Sequence, residues 1–418
     1  MGLLYNAGYR LGTPAPAALD GVVVHTCSAD AERSLEELNG VRQLLIDPNV
    51  YVWGLDPATA SRTCAYTATY PWVPIDVPSV DEYERRRRDW INDGVTPVIE
   101  ESWPPIAPDD LHELVRKCLD WQASHGATVL IAPAPLIGQV HGGMEEYGQW
   151  LAAAGAAAPS FSQPVLMTVA FSEVCFPAIL EGLLDSLTTA RDIAGCYVVL
   201  ETAHTSPYVA TRALADALLE ICYHLGHIRG HQVVVNFADC FGLLCLAAGA
   251  TDMVAGYGVK HRRFSLSDYS DGGGGPYPRF FSVRTFCRYL ASDDMTRIRD
   301  EQMLEEFLSD RTPACDSLLT ALQNGATADA ALGWEQRRNN TVAAKDHMVQ
   351  RLRIAVDTLA SAGSISERVA WTRRQLLQAD SLNALLRETF ADEPLDEDGS
   401  HVRVWRQAFA QFTERYGL

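Results

Sequence analysis

The sequence predicts a (β/α)8 barrel followed by a helical appendage. Eight short, almost continuously apolar runs alternate with helical patterns between residues 21 and 256, and beyond about residue 280 only helical patterns continue. A parallel strand covered on both faces needs no polar alternation, so such runs read as strands of a parallel sheet. Eight strand-helix alternations fit a closed barrel better than an open doubly wound sheet. No GxxxxGK[ST] occurs and no GxGxxG follows the first run, so the two common phosphate-binding βα units are excluded.

In chain order, the runs are residues 21–27, 44–48, 96–101, 127–133, 164–170, 196–201, 232–237 and 252–256. Stretches such as 109–125 and 208–227 place apolar residues at three-to-four spacing, which is the signature of a helix with one buried face. The glycines at 272–275, followed by Pro276, read as a flexible loop. Past it, residues 281–308, 341–362, 365–390 and about 402–416 read as helices. The expected division is therefore a barrel over 1–278 and a helical appendage over 279–418.

The chain has 418 residues, with 53 Asp and Glu against 34 Lys and Arg for a net charge of −19. With 47% hydrophobic and 21% charged residues it has the composition of a globular protein, and its acidity excludes a non-specific coat for nucleic acid. Ten cysteines without a CxxC read as reduced core thiols of a cytoplasmic protein. Residues 1–18 lack the apolar segment of a secretion signal. The apolar stretch 240–250 is too short to span a bilayer, so no membrane partner is expected.

In a barrel of this kind the active site lies at the C-terminal ends of the strands. Reading each run to its end gives His25 and Thr26, Asp47 and Asn49, Glu100 and Glu101, Ser172 and Glu173, Glu201 with His204, Asn236 with Asp239, and Tyr257 with Lys260 and His261. Paired carboxylates in such a mouth suit cleavage of a glycosidic bond, where one donates a proton and the other stabilises or attacks the cationic centre or activates water. Asp47 and Glu201 directly terminate strongly apolar runs and are the preferred pair, with Glu100 and Glu101 in reserve. A single acid there could equally cap the following helix. His25, Asp47, Glu201, His204 and Asp239 could instead converge on a divalent ion, but the first run carries no HxH, so neither a metal nor another cofactor is expected.

Cations are few and clumped. Lys260, Arg262 and Arg263 follow the last barrel run at the expected rim, where they would meet an anionic ligand such as a phosphodiester. The four arginines at 85–88, among them Arg85 and Arg88, also offer backbone contacts, although Asp81, Glu82, Glu84 and Asp89 make a solvated, self-balanced helix face the plainer reading. Trp103 and Tyr257 end runs, where an aromatic ring could stack on an extruded base or simply close the core.

Residues 234–256 resemble the seventh and eighth strands of tRNA-guanine transglycosylases and their DNA-acting relatives. The shared elements are Leu-Leu before a small-residue helix and Gly-Ala-Thr-Asp-Met at 249–253 entering the last strand. Ile-Asp-Pro-Asn at 46–49 stands where that family has its second strand. Arg279-Phe-Phe with downstream Cys315 stands where the family carries its zinc subdomain. The chain departs from the family at the nucleophilic aspartate, which would fall at Ala255 or Gly256. It departs again at the zinc cluster, where Cys287 and Cys315 stand alone with His347.

The resemblance implies an enzyme that hydrolyses an N-glycosidic bond without re-forming it, like the anti-phage DNA glycosylases of modified bases. Its partner would be modified duplex DNA with the base extruded, bound by Asp47 and Glu201 as catalytic acids and Trp103, His204, Asn236, Asp239 and Tyr257 around the base. Three alternatives stay open: a small-molecule barrel hydrolase or lyase using the same carboxylates, a relative that exchanges bases in tRNA or DNA, and a binding or assembly protein that has lost catalysis.

Overall fold

The computed structural model describes the chain apart from residues 8–17, 29–30, 39–40, 54, 56–59, 74–78, 93–107, 139–142, 174, 203–205 and 270–274. The side chains of 32–34, 87, 90–92, 108–109 and 176–178 are likewise not described. Eight parallel strands form one sheet: β1 (Gly2–Ala7), β2 (Gly21–His25), β3 (Leu44–Asp47), β4 (Leu130–Ala132), β5 (Val165–Ser172), β6 (Gly195–Glu201), β7 (Gln232–Val235) and β8 (Asp252–Ala255). Their order is β3-β2-β1-β8-β7-β6-β5-β4. A parallel bridge between Leu45 and Val129, with Thr128 N donating to Leu44 O at 2.9 Å, joins the two ends into a ring. This is the predicted barrel.

Residue alternation divides its core in two. Leu4, Val23, Leu45, Ile131, Val199, Val234 and Val254 point inward and form one buried cluster. Their neighbours Leu3, Val22, Ile46, Met167, Val198 and Val235 point outward into a second cluster shared with the helices. Because both faces are covered, the strands are apolar on both faces over most of their length, and this is what made seven of them legible. Gly195 shows how closely strands approach at the lower rim: a Cβ there would collide with the Gln232 carbonyl of β7.

Two expectations change. The first strand is Gly2–Ala7, which the sequence reading passed over, while the run at 96–101 lies outside the described residues. Tyr5 and Asn6 break the apolar run of β1, and both are buried, Tyr5 outward in the helical layer and Asn6 inward. The segment 281–308 does not form one helix. Arg279–Ser282 (β9) and Cys287–Leu290 (β10) make an antiparallel hairpin, and a short helix follows at Asp294–Asp300. Phe280, Phe281, Cys287 and Tyr289 are all buried, so the hairpin serves as a wedge between the barrel and the helices after it.

The long helices Val342–Ser361, Ile365–Thr389 and Ser400–Tyr416 agree with their predicted positions. Ser364 caps the second by accepting from Glu367 N at 3.2 Å, while Glu367 accepts from Gly363 N at 2.7 Å. Trp405 anchors the third: its indole donates to Val209 O at 2.7 Å and its ring meets Phe241 and Phe286. All ten cysteines are free thiols, and among the described residues no helix is long and apolar enough to cross a membrane.

Candidate functional site

The inward row changes chemistry near the C-terminal ends of the strands. One inward position beyond Leu4, Val23, Leu45 and Val234 stand Asn6, His25, Asp47 and Asn236, so the apolar filling gives way to a polar layer. Tyr197, inward on β6, reaches across the lumen and donates its hydroxyl to Asp47 Oδ2 at 2.8 Å. Asn49 and Tyr51 complete the layer from the turn after β3. Every member is at most 5% exposed, and Asp47, Asn6 and Asn49 are fully buried.

Asp47 is the centre of this layer. Its Oδ2 accepts from Tyr51 at 2.6 Å as well as from Tyr197, and its Oδ1 accepts from Asn49 N at 2.9 Å in a local turn that places Asn49 in the left-handed region at φ 49°. His25 Nδ1 lies 3.3 Å from Asp47 Oδ2. Burial, reinforced by the Asp47 charge, pushes the Tyr51 and Tyr197 hydroxyls well above the usual tyrosine range, so both stay protonated donors. His25 Nε2 meets Asn6 Oδ1 at 2.9 Å, and Asn6 Nδ2 donates to Asn236 Oδ1 at 2.7 Å and to His261 O at 3.2 Å. Asn236 Nδ2 donates to the Tyr197 hydroxyl and closes the circuit. Phe237, at φ 57°, stands over His25 with ring centroids 5.4 Å apart.

Glu201 ends β6 at the same mouth. It lies four residues beyond Tyr197 on the same inward face, so their backbones are about 13 Å apart along the strand. Its carboxylate accepts from Ser172 Oγ at 2.7 Å, and Thr202 Oγ1 donates to Glu173 Oε2 at 3.1 Å beside it. Asp47 and Glu201 thus share one end of the barrel on two levels. Glu100, Glu101, Trp103 and His204 lie outside the described residues.

The expected phosphate contacts fare differently. Arg262 is 3% exposed, donating from Nε to Asp239 Oδ2 and from Nη1 to Glu397 Oε1, both at 2.9 Å, and its guanidinium covers the Tyr208 ring. Arg263 is 8% exposed and grips Asp268 with Nε and Nη2 at 2.8 and 3.0 Å. These donors are directed inward because the neighbouring carboxylates are themselves buried and need partners. Asp239, expected at the substrate, is fully buried and spanned by Arg262 and Arg288. Tyr257, expected to stack on a base, is 4% exposed and spends its hydroxyl on Tyr277 O at 3.0 Å and Arg279 N at 2.8 Å. Lys260 is exposed. Arg85 and Arg88 are exposed on the helix Val80–Asn92, Arg85 pairing with Glu82 and Asp89 on that same helix.

Position 256 carries a second departure. It continues the inward row of β8 beyond Val254, yet a Cβ on Gly256 would collide with the Cβ and carbonyl of His261. Burial, with the cations Lys345 and Lys260 nearby, pushes the His261 ring down to about 3, so it is neutral filling for this part of the lumen.

Among the described residues, Asn236 is the one expected around the base that the polar layer takes up. Sequence reasoning missed Asn6, Tyr51 and Tyr197. Asn6 fell with its strand, whereas Tyr197 could have been found from its inward parity with Glu201. Among the described residues no group of three or more His, Cys, Asp or Glu side chains is set to hold a metal.

No family model matches the chain, and no curated protein matches it. Among solved structures, a sialic acid aldolase catalytic lysine mutant from Ruminococcus gnavus is 11% identical with a TM-score of 0.30, covering 86% of this chain and 97% of that chain. An amidohydrolase from Burkholderia ambifaria with bound zinc is 11% identical at 0.28, covering 92% and 96%. An adenine deaminase from Arthrobacter aurescens is 11% identical at 0.26, covering 87% and 97%. Likeness at this level assigns neither a family nor an activity, and the barrel assignment rests on the ring of strands itself.

Proposed function

We propose that this barrel is an enzyme that performs acid–base chemistry on a small polar molecule admitted to its C-terminal mouth, a hydrolysis or an elimination, with Asp47 and His25 exchanging the proton. The observation that carries the reading is the contact of 3.3 Å between His25 Nδ1 and Asp47 Oδ2 inside a layer whose other members are neutral amides and phenols. Barrel interiors are ordinarily filled by branched apolar side chains, and amides alone would satisfy a purely structural polar layer. An ionisable pair there is costly unless used. Glu201 and Ser172, one level higher, would meet the substrate first.

Excision of a modified base from DNA, as in anti-phage defence, is the second reading. It would use Asp47 and Glu201 across the mouth, and the exposed Lys260 at its rim favours it. The internal pairing of Arg262 and Arg263 weighs against it, because it removes two of the three rim cations from a body of charge −19.

Thermal-shift screening with small polar metabolites, run beside alkali treatment of plain and modified duplexes, separates the two. Ligands that raise the melting temperature of the wild type and are turned over by it but not by His25→Gln support the first reading. Abasic sites in modified DNA would replace it with the second. Neither response in either arm would overturn an enzymatic role.

A further inference from the structure

The hydrogen bonds around His25 are anchored at fixed backbone groups, and this determines which nitrogen carries the proton. On one side, Phe237 N–H donates to Asn236 Oδ1 at 2.7 Å, so that oxygen faces the layer as an acceptor. Asn6 must then present its amide nitrogen to Asn236 Oδ1 and to the His261 carbonyl; the flipped amide would set oxygen against two oxygens. Asn6 Oδ1 is left facing His25 Nε2, which therefore carries hydrogen. On the other side, Cys27 N–H donates to Asn49 Oδ1 at 3.3 Å, so Asn49 turns its nitrogen to the Tyr51 hydroxyl at 2.8 Å and to His25 Nδ1 at 3.1 Å. Nδ1 is thus a lone-pair acceptor.

We propose that Asn6 and Asn49 are positioning residues that clamp His25 as the neutral Nε2–H imidazole, so that a proton taken up by the ring enters at Nδ1 facing Asp47. The step balances without a co-reactant. The proton comes from Asp47 in its acid form: the Oδ2–H bond breaks and leaves its electron pair on Oδ2, the Nδ1 lone pair forms the new N–H bond, the Asn49 amide loses its acceptor, and the imidazolium now donates back to the Asp47 carboxylate. The inference deepens the acid–base reading above and rests on it for its catalytic meaning, although the tautomer itself is a property of the resting protein.

Nitrogen-15 NMR of the full chain, labelled at its eleven histidines, reads the tautomer directly, with His25 assigned from the signal lost in His25→Gln. The wild type should show a protonated Nε2 and an unprotonated Nδ1. Asn6→Leu removes the acceptor and should shift the tautomer ratio toward Nδ1–H by roughly fivefold, the factor carried by one net hydrogen bond. A wild-type ring protonated at Nδ1, or an unchanged ratio in a folded Asn6→Leu protein, overturns the clamp. A clamped ring whose replacement by Gln leaves turnover intact would overturn the acid–base reading instead, so the two failures are distinct.

Discussion

Arg262 donates from Nη1 to Oε1 of Glu397 at 2.9 Å, between the turn after β8 and the segment that precedes the last helix. Both side chains are buried, and Glu397 also accepts from Arg288 N at 2.6 Å and from the Tyr208 hydroxyl. This contact ties the barrel mouth to the appendage. Glu397→Ala leaves two buried guanidinium groups to share Asp239 and strands Arg288 N and the Tyr208 hydroxyl, and should cost about 3–5 kcal/mol in urea unfolding. A loss below about 1 kcal/mol would mean that the pair is solvated. Burial alone would raise the Glu397 carboxyl, but Arg262 and its hydrogen bonds hold it below the ordinary range. A depressed folded value contributes stability above the unfolded pKa of about 4.3. The gap between wild type and variant should therefore narrow as pH falls below about 4.

Asp47 should be replaced by Asn, not Ala, to test chemistry. Alanine strands the hydroxyls of Tyr51 and Tyr197 in the lumen and should destabilise by about 2–4 kcal/mol, at roughly 1–3 kcal/mol for each unsatisfied buried group. Asparagine keeps an acceptor and should cost about half as much. Equal melting temperatures for the two variants would contradict the hydrogen-bond assignment.

The tyrosines provide a check that needs no substrate. Burial raises the hydroxyls of Tyr5, Tyr51, Tyr147, Tyr197, Tyr208, Tyr257, Tyr289 and Tyr416, with Tyr257 pushed up to about 12. Of fifteen tyrosines, these eight should resist ionisation. Absorbance at pH 11 should show no more than roughly half the phenolate of the chain in denaturant. Full ionisation in the native protein would show that the lumen admits hydroxide.

Asp294 should act in the opposite sense to Glu397. Burial pushes its carboxyl up to about 6 although Leu290 N and Asp396 N donate to it. A raised folded value favours the native state below the unfolded pKa of about 3.9, and this contribution is lost as pH rises through about 6. The wild type should lose up to about 3 kcal/mol relative to Asp294→Asn between pH 4 and pH 7. A constant difference across that window would refute the assignment.

Much of the barrel is legible in the sequence because burial on both faces writes itself as uninterrupted apolar runs. β1 was not, because Tyr5 and Asn6 interrupt its run and both are buried through tertiary partners that no local pattern reveals. The hairpin β9–β10 was read as helix because Phe280, Phe281 and Tyr289 face a core shared with distant helices. At the site, His25, Asp47 and Asn236 were visible as polar residues ending apolar strands. Tyr197 was hidden inside an apolar run, since a tyrosine there looks like filling until its hydroxyl finds Asp47. Arg262 shows the converse: a cluster of cations in sequence says nothing of the carboxylates that fold brings against them.

The contact between Gly256 and His261 closes the end of β8 to any side chain. Installing an aspartate at 256 requires first moving the turn that bears His261. That turn is pinned one residue later by Arg262 to two carboxylates. A carboxylate therefore cannot enter the lumen at 256 by one substitution; the turn would have to be rebuilt before it could fit.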